Sequence, residues 1–237
     1  QISEIVTSGV LEGRWSIEVT SDMAGTVSGA ALVVVAVPAN VHYEVLELLA
    51  EALSPNQIVA IWAQSSLSAL YLARISEGRV PLALWSGPLV GGRRLGPFDG
   101  FVSTVRKQVD IAALPADDLE HVLTTHEQVF GHLFEPKSAL DIVFGNVNPT
   151  HHIPQVLCNL PYIEGGEKWS ALGRTTPAVA RLIEALDEER RIVAAAFGGT
   201  VRSITEHFAM SFEGIPKLPL AEQAPLLAKK LGAASSG

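Results

Sequence analysis

A chain of 237 residues, 48% of them hydrophobic, has room for one large domain or two small ones and ample apolar material for a core. Its net charge of −8 argues against a nucleic-acid partner, which requires a basic face. Cys158 is the only cysteine, so no intrachain disulfide forms, and it reads as a small buried hydrophobe; the acid-rich, disulfide-free balance suits a cytoplasmic protein. No apolar run reaches the length of a bilayer span, since the longest, Ala30 to Pro38, is strand-sized.

Arg14 to Thr20 alternates and predicts a strand; Ser21-Asp22 with Ala24 to Ser28 predicts a short helical step. Ala30 to Pro38 is continuously apolar and β-branched, the pattern of a parallel-sheet strand covered on both faces. Val41 to Leu53 has helical periodicity and stops at Ser54-Pro55-Asn56. The pattern then repeats as strand Gln57 to Trp62, helix Ser66 to Ile75 and strand Val80 to Trp85. Such alternation predicts a Rossmann-like, doubly wound α/β sheet. Ligands of these sheets sit beyond the carboxyl ends of the strands, here Val37-Pro38-Ala39-Asn40 and Ala63-Gln64-Ser65, which nominates Gln64 and Ser65 for cofactor contact. His42, just inside the first long helix, is expected to face solvent.

Gly91 to Gly96 (GGRRLG) is glycine-rich, but no helix follows it, so it reads as a loop and not as a phosphate-binding turn. Phe101 to Val105 and Gln108 to Ala113 are expected to pair around Arg106-Lys107 and close the sheet. Leu114 to Asp118 marks a boundary between an α/β domain, 1–114, and an all-helical domain, 115–237. Helices are predicted at Leu119 to Leu133, Val156 to Tyr162, Pro177 to Phe197, Ile204 to Phe212 and Leu220 to Leu231. His121, His126 and His132 do not share one helix face, which argues against a zinc triad. The longest helix takes Thr175 or Thr176 as its cap, Val179, Leu182, Ile183, Leu186, Val193 and Phe197 as its apolar stripe, and Gly198-Gly199 as its stop. Asp187 to Arg191 interrupts that stripe, either as a solvated face or as a polar network.

One stretch, Asn146 to Asn159 (NVNPTHHIPQVLCN), gathers amides, imidazoles and prolines between two apolar runs. With Asn148 as N-cap and Pro149 in the first helical position, Asn148 and His152 lie one turn apart on the same side. The amide can bind a carboxylate or carbonyl, while an imidazole, with an ordinary pKa near about 6.5, exchanges a proton at neutral pH. Spacing alone fits a satisfied core or capping histidine as well as a catalyst. His151 diverges from His152 by about 100° and reads as structural. Pro154 cannot donate to the Thr150 carbonyl and should bend the first turns.

The run Asn146-x-Asn148-x-x-x-His152, followed by Thr176-Pro177-Ala178-Val179-Ala180 and Asp187-Glu188-Glu189-Arg190, resembles the helical domain of the octopine/nopaline (opine) dehydrogenases. The resemblance implies that His152 is the catalytic acid/base and that Asn148 contacts substrate. It also implies that Val37, Pro38 and Ala39 border a dinucleotide, NAD or NADP, and that the Asp187 run helps to position the site. The family usually shows His-Pro where this chain has His152-Ile153-Pro154. Because no Gly-x-Gly-x-x-Gly turn follows a strand, the likeness is expected to start partway into the family's cofactor domain, and the family's acidic partner of the histidine falls beyond Gly237. The implied activity is reductive condensation of an amino acid with a 2-oxo acid, in a cleft between the two domains, by an enzyme for which a homodimer stays open. A simple 2-oxo acid or ketone reductase of the same build, like the ketopantoate reductases and glycerol-3-phosphate dehydrogenases, is the alternative, as is a non-catalytic dinucleotide-binding protein.

Overall fold

Strands β1 (Ile2–Gly9) and β2 (Gly13–Glu18) open the chain as an antiparallel hairpin in the computed structural model, which describes residues 2–62, 67–167 and 170–235. Then come α1 (Met23–Val27), β3 (Leu32–Val35), α2 (His42–Ala52), β4 (Ile58–Ile61), α3 (Ser68–Ile75) and β5 (Leu82–Trp85), the alternation predicted from sequence. The first part closes with β6 (Val90–Arg94), β7 (Asp99–Val105), β8 (Val109–Leu114), α4 (Leu119–Phe130), β9 (Phe134–Pro136) and α5 (Ala139–Phe144). The chain divides into two compact units, Gln1–Val143 and Phe144–Gly237. Residues 115–143, assigned to the helical half on sequence, therefore contribute α4 and β9 to the first unit.

Among the described residues the strands form two sheets. The larger runs β3-β4-β5-β8-β9, with β3, β4 and β5 parallel and β8 antiparallel to β5. Side-chain alternation shows why it is covered twice. Val59 and Ile61 of β4 and Leu82 and Leu84 of β5 pack with Leu46, Leu49 and Leu72 of α2 and α3. Their neighbours Ile58, Ala60, Ala83 and Trp85 face the other way, with Ile111 of β8 and Val122 of α4. Each fully buried Leu, Ile or Val contributes roughly 1.5–3 kcal/mol. On sequence β3 looked doubly covered, yet it ends the sheet and leaves Val34 36% exposed. Gln57 joins these layers: its amide donates to the Val27 and Ala30 carbonyls and accepts from the Ser54 N–H, so a buried polar side chain is satisfied at both ends.

The smaller sheet, β2-β1-β7-β6, departs most from the sequence reading. Gly91 to Arg94, expected as a loop, is strand, with a register shift at Gly91/Gly92 where a Cβ on Gly92 would lie 2.2 Å from the Phe101 carbonyl oxygen. β7 pairs with β1 and β6, not with β8, because β8 is buried along most of its length and β7 mostly exposed. His126 is fully buried in an aromatic cluster with Trp85, Phe130 and Phe134. Its Nδ1–H donates to the Val122 carbonyl at 2.7 Å and its Nε2 accepts from the Trp85 indole at 3.1 Å. Burial pushes its pKa down and keeps it neutral.

The second unit holds α6 (Asn148–Cys158), α7 (Leu160–Glu164), α8 (Pro177–Ala196), α9 (Ile204–Ser211) and α10 (Leu220–Ser235). α8 begins on the Thr176 side chain, which accepts the Val179 N–H, and ends in paired bonds from the Gly198 and Gly199 N–H groups back to Ala195 and Ala194. Its buried line is Val179, Ala180, Ile183, Asp187 and Ala194, whereas Leu182, Val193 and Phe197 of the expected stripe are exposed. Among the described residues no helix is long and apolar enough to cross a membrane.

Candidate active site

α6 starts differently from the way its sequence suggests. Asn148 is its first residue, and the Asn148 N–H is bonded at 3.0 Å by the Asn146 side chain. Pro149 has no N–H to satisfy, so the nearest amide needing an acceptor is that of Asn148, two residues from Asn146. The Asn148 side-chain amide is therefore not spent as the cap, and it is exposed. One turn on, His152 is exposed too, with Ile153 and Val156 beside it at 57% and 44% exposure. The helix runs on through Pro154 as far as Cys158, which was expected to be buried and is exposed.

Beneath this outer face lies a buried polar line. His151, Gln155 and Asn159 recur at four-residue spacing and are 6%, 1% and 3% exposed. Gln155 donates to the Thr175 hydroxyl at 2.8 Å, and Asn159 donates to the Gln155 carbonyl at 2.8 Å. The His151 ring lies 4.8 Å from the His152 ring and edge-on to Phe208 at 5.2 Å. Burial, then His152 and His207, push its pKa down to about 4. His151 is thus neutral at physiological pH and carries the packing.

That pKa makes stability depend on pH. Between about 6.5 and about 4 the unfolded chain holds the His151 proton and the folded chain does not. Stability therefore falls as pH drops through that window, by up to about 1.4 kcal/mol per unit. Urea midpoints at about pH 7 and about pH 5 should show the loss, and His151→Phe should shrink the difference while His126 keeps part of it.

Asp187 and Arg190 resolve the two readings of the charged run on α8. Both side chains are buried, 4% and 7% exposed, and pair at 2.8 Å. The other Asp187 oxygen accepts the Ile204 N–H at 2.9 Å at the start of α9. Arg190 donates to the Phe144 and Arg202 carbonyls. Glu188 and Arg191 pair on the outside at 57% and 41% exposure, so one run supplies both a network and a solvated face. The Phe144 carbonyl stands two residues before Asn146, so the network holds the turn from which α6 starts.

A groove of about 310 Å³ elsewhere in this unit is lined by Glu184, Glu188, Arg191, Glu206 and Lys217, away from Asn148 and His152. Its charges have partners: Glu188 pairs with Arg191, Glu184 accepts the Leu220 N–H, and Lys217 pairs with Glu206 at 2.6 Å and, with the Ser203 cap, holds that carboxyl down to about 2. Among the described residues no group of three or more His, Cys, Asp and Glu is arranged to hold a metal ion.

In the first unit, Val37, Pro38 and Ala39 leave the carboxyl end of β3 as an exposed turn. His42 does not face solvent as expected. It is 3% exposed and bonds to the Val37 carbonyl and the Ser68 hydroxyl, a role that a single histidine in a helical pattern does not announce. Gln64 and Ser65 lie outside the described residues.

Residues 135–220, which contain Asn148, His152 and the Asp187–Arg190 pair, match the family model for the NAD/NADP octopine/nopaline dehydrogenase alpha-helical domain. Over that segment the chain is similar to the opine dehydrogenases. The opine dehydrogenase of Arthrobacter sp. (strain 1C) is 27% identical to it over 202 residues, which span 83% of this chain and 56% of that protein. The chain thus covers little more than half the length of that opine dehydrogenase. Octopine dehydrogenase, solved with NADH and L-arginine, shares the fold at a TM-score of 0.71 and 13% identity, over 94% of this chain and 61% of its own. A PanE/ApbA family ketopantoate reductase from Ralstonia eutropha JMP134 shares it at a TM-score of 0.60 and 16% identity, over 98% and 78% of the two chains.

Proposed function

We propose that the protein is an NAD(P)H-dependent dehydrogenase of the opine type, joining the amine of an amino acid to a 2-oxo acid. The observation that carries this reading is the exposed pair Asn148 and His152, one turn apart at the head of α6, inside the segment that matches the family's helical domain. His152 is the acid/base: it gives a proton to the carbonyl oxygen as water leaves and the imine forms, and a proton is needed again at nitrogen when the imine is reduced. Asn148 binds a substrate carboxylate or carbonyl and so orients the reacting carbon.

Val37, Pro38 and Ala39 border the dinucleotide, with Gln64 and Ser65 as further contacts. The fit rests on an exposed turn of small side chains at the carboxyl end of a parallel strand, where a ligand can approach the backbone. When bound there, NADH or NADPH supplies hydride. The fold likeness to a ketopantoate reductase favours a second reading, a reductase that takes a 2-oxo acid or ketone without an amine.

Product analysis separates the two. Incubation with dinucleotide, pyruvate and an amino acid should yield a secondary amine whose mass equals the two substrates summed less one oxygen. Lactate alone would establish the simple reductase instead.

A further inference from the structure

We infer that His42 is a positioning residue for the dinucleotide turn, an inference that rests on the reading of Val37, Pro38 and Ala39 given above. His42 is the first residue of α2, and its ring spans segments far apart in sequence. The Val37 carbonyl can only accept, so the ring proton sits on Nε2 and is donated at 3.0 Å. Nδ1 is thereby an acceptor and takes the Ser68 hydroxyl proton at 2.8 Å. One imidazole ties the turn leaving β3 to the first residue of α3, the helix that follows β4. β3 and β4 are adjacent and parallel, with Val35 opposite Ile61, so the tie crosses the carboxyl ends of neighbouring strands, where ligands of such sheets lie.

Among the described residues the turn is otherwise held by backbone bonds, from the Val41 N–H to the Pro38 carbonyl and from the His42 N–H to the Ala39 carbonyl. Residues 36–40 are exposed, Pro38 offers no N–H, and among the described residues no side chain caps the short helical turn at Ala39–Val41 or the start of α2. With its carbonyl drawn inward to His42, the Val37 backbone is fixed, and the outer surface of the turn is presented in one orientation. An apolar side chain could fill the same space, but it could not place a donor at one end and an acceptor at the other.

The test titrates the protein with NADH and with NADPH, following nucleotide fluorescence. Absence of binding by the unsubstituted protein would overturn the dinucleotide reading itself, whatever His42 does. Given binding, His42→Leu should raise the dinucleotide Kd and KM by roughly tenfold, as expected for two lost hydrogen bonds that fix a binding turn, with a far smaller change in kcat at saturating dinucleotide. His42→Gln, which can donate at one end and accept at the other, should restore most of the affinity. Ser68→Ala should weaken binding by about threefold, and combining it with His42→Leu should add little. A role confined to folding would lower the unfolding midpoint and leave Kd unmoved. An unchanged Kd in folded His42→Leu, or in Ser68→Ala should His42→Leu not fold, overturns the inference.

Discussion

Asp187→Ala should destabilise the helical unit by about 3–5 kcal/mol, because it strands the buried Arg190 guanidinium and removes the acceptor of the Ile204 N–H. That is a large share of the roughly 5–15 kcal/mol that holds a typical domain folded. The outer pair on the same helix supplies the control: Glu188→Ala removes a partner of comparable length, Glu188 to Arg191 at 2.6 Å, but both side chains are exposed. Its cost should stay below about 1 kcal/mol. Denaturant midpoints for the two variants give the comparison. Equal costs would mean that the Asp187 network is not what holds the start of α9 and the α5–α6 turn together.

His152→Ala should lower kcat by about 10²–10⁴, the range associated with a positioned acid or base, while dinucleotide binding is retained. Because His152 is exposed, the substitution should leave stability nearly unchanged, so lost turnover reports on chemistry. Asn148→Ala should act chiefly on the KM of the substrates. His151→Ala should behave in the opposite way, since its ring is buried against Phe208 and its loss is felt first in stability. Turnover near the original rate in His152→Ala would remove the central residue from the account.

Much of this was legible in the sequence, for reasons that can be traced residue by residue. The strands Ile58–Ile61 and Leu82–Trp85 announced themselves because both faces are covered and every residue must be apolar. The placement of Asn148 and His152 one turn apart was legible because helical spacing brings them to one side whichever residue caps the helix. The β2-β1-β7-β6 sheet was only partly visible. Its strands are mostly half-buried or exposed, so no alternation marks β1 or β6, and the bulge at Gly91/Gly92 looks like a loop. The line of burial on α8 was misread where Asp187 enters it, since a charge is buried there only because Arg190 and the Ile204 N–H meet it; the i,i+3 spacing of Arg190 fits an exposed pair equally well, and the Ile204 contact comes from another element. His42 and the buried role of His126 were hidden for the same reason, as their partners Ser68 and Trp85 come from other elements.

The most direct measurement follows oxidation of NADH, and then of NADPH, by the protein with pyruvate, in the presence and absence of pooled amino acids. Oxidation that requires the amino acids is the predicted result. Oxidation at the same rate without them would contradict the condensation and make the protein a reductase of simple 2-oxo acids.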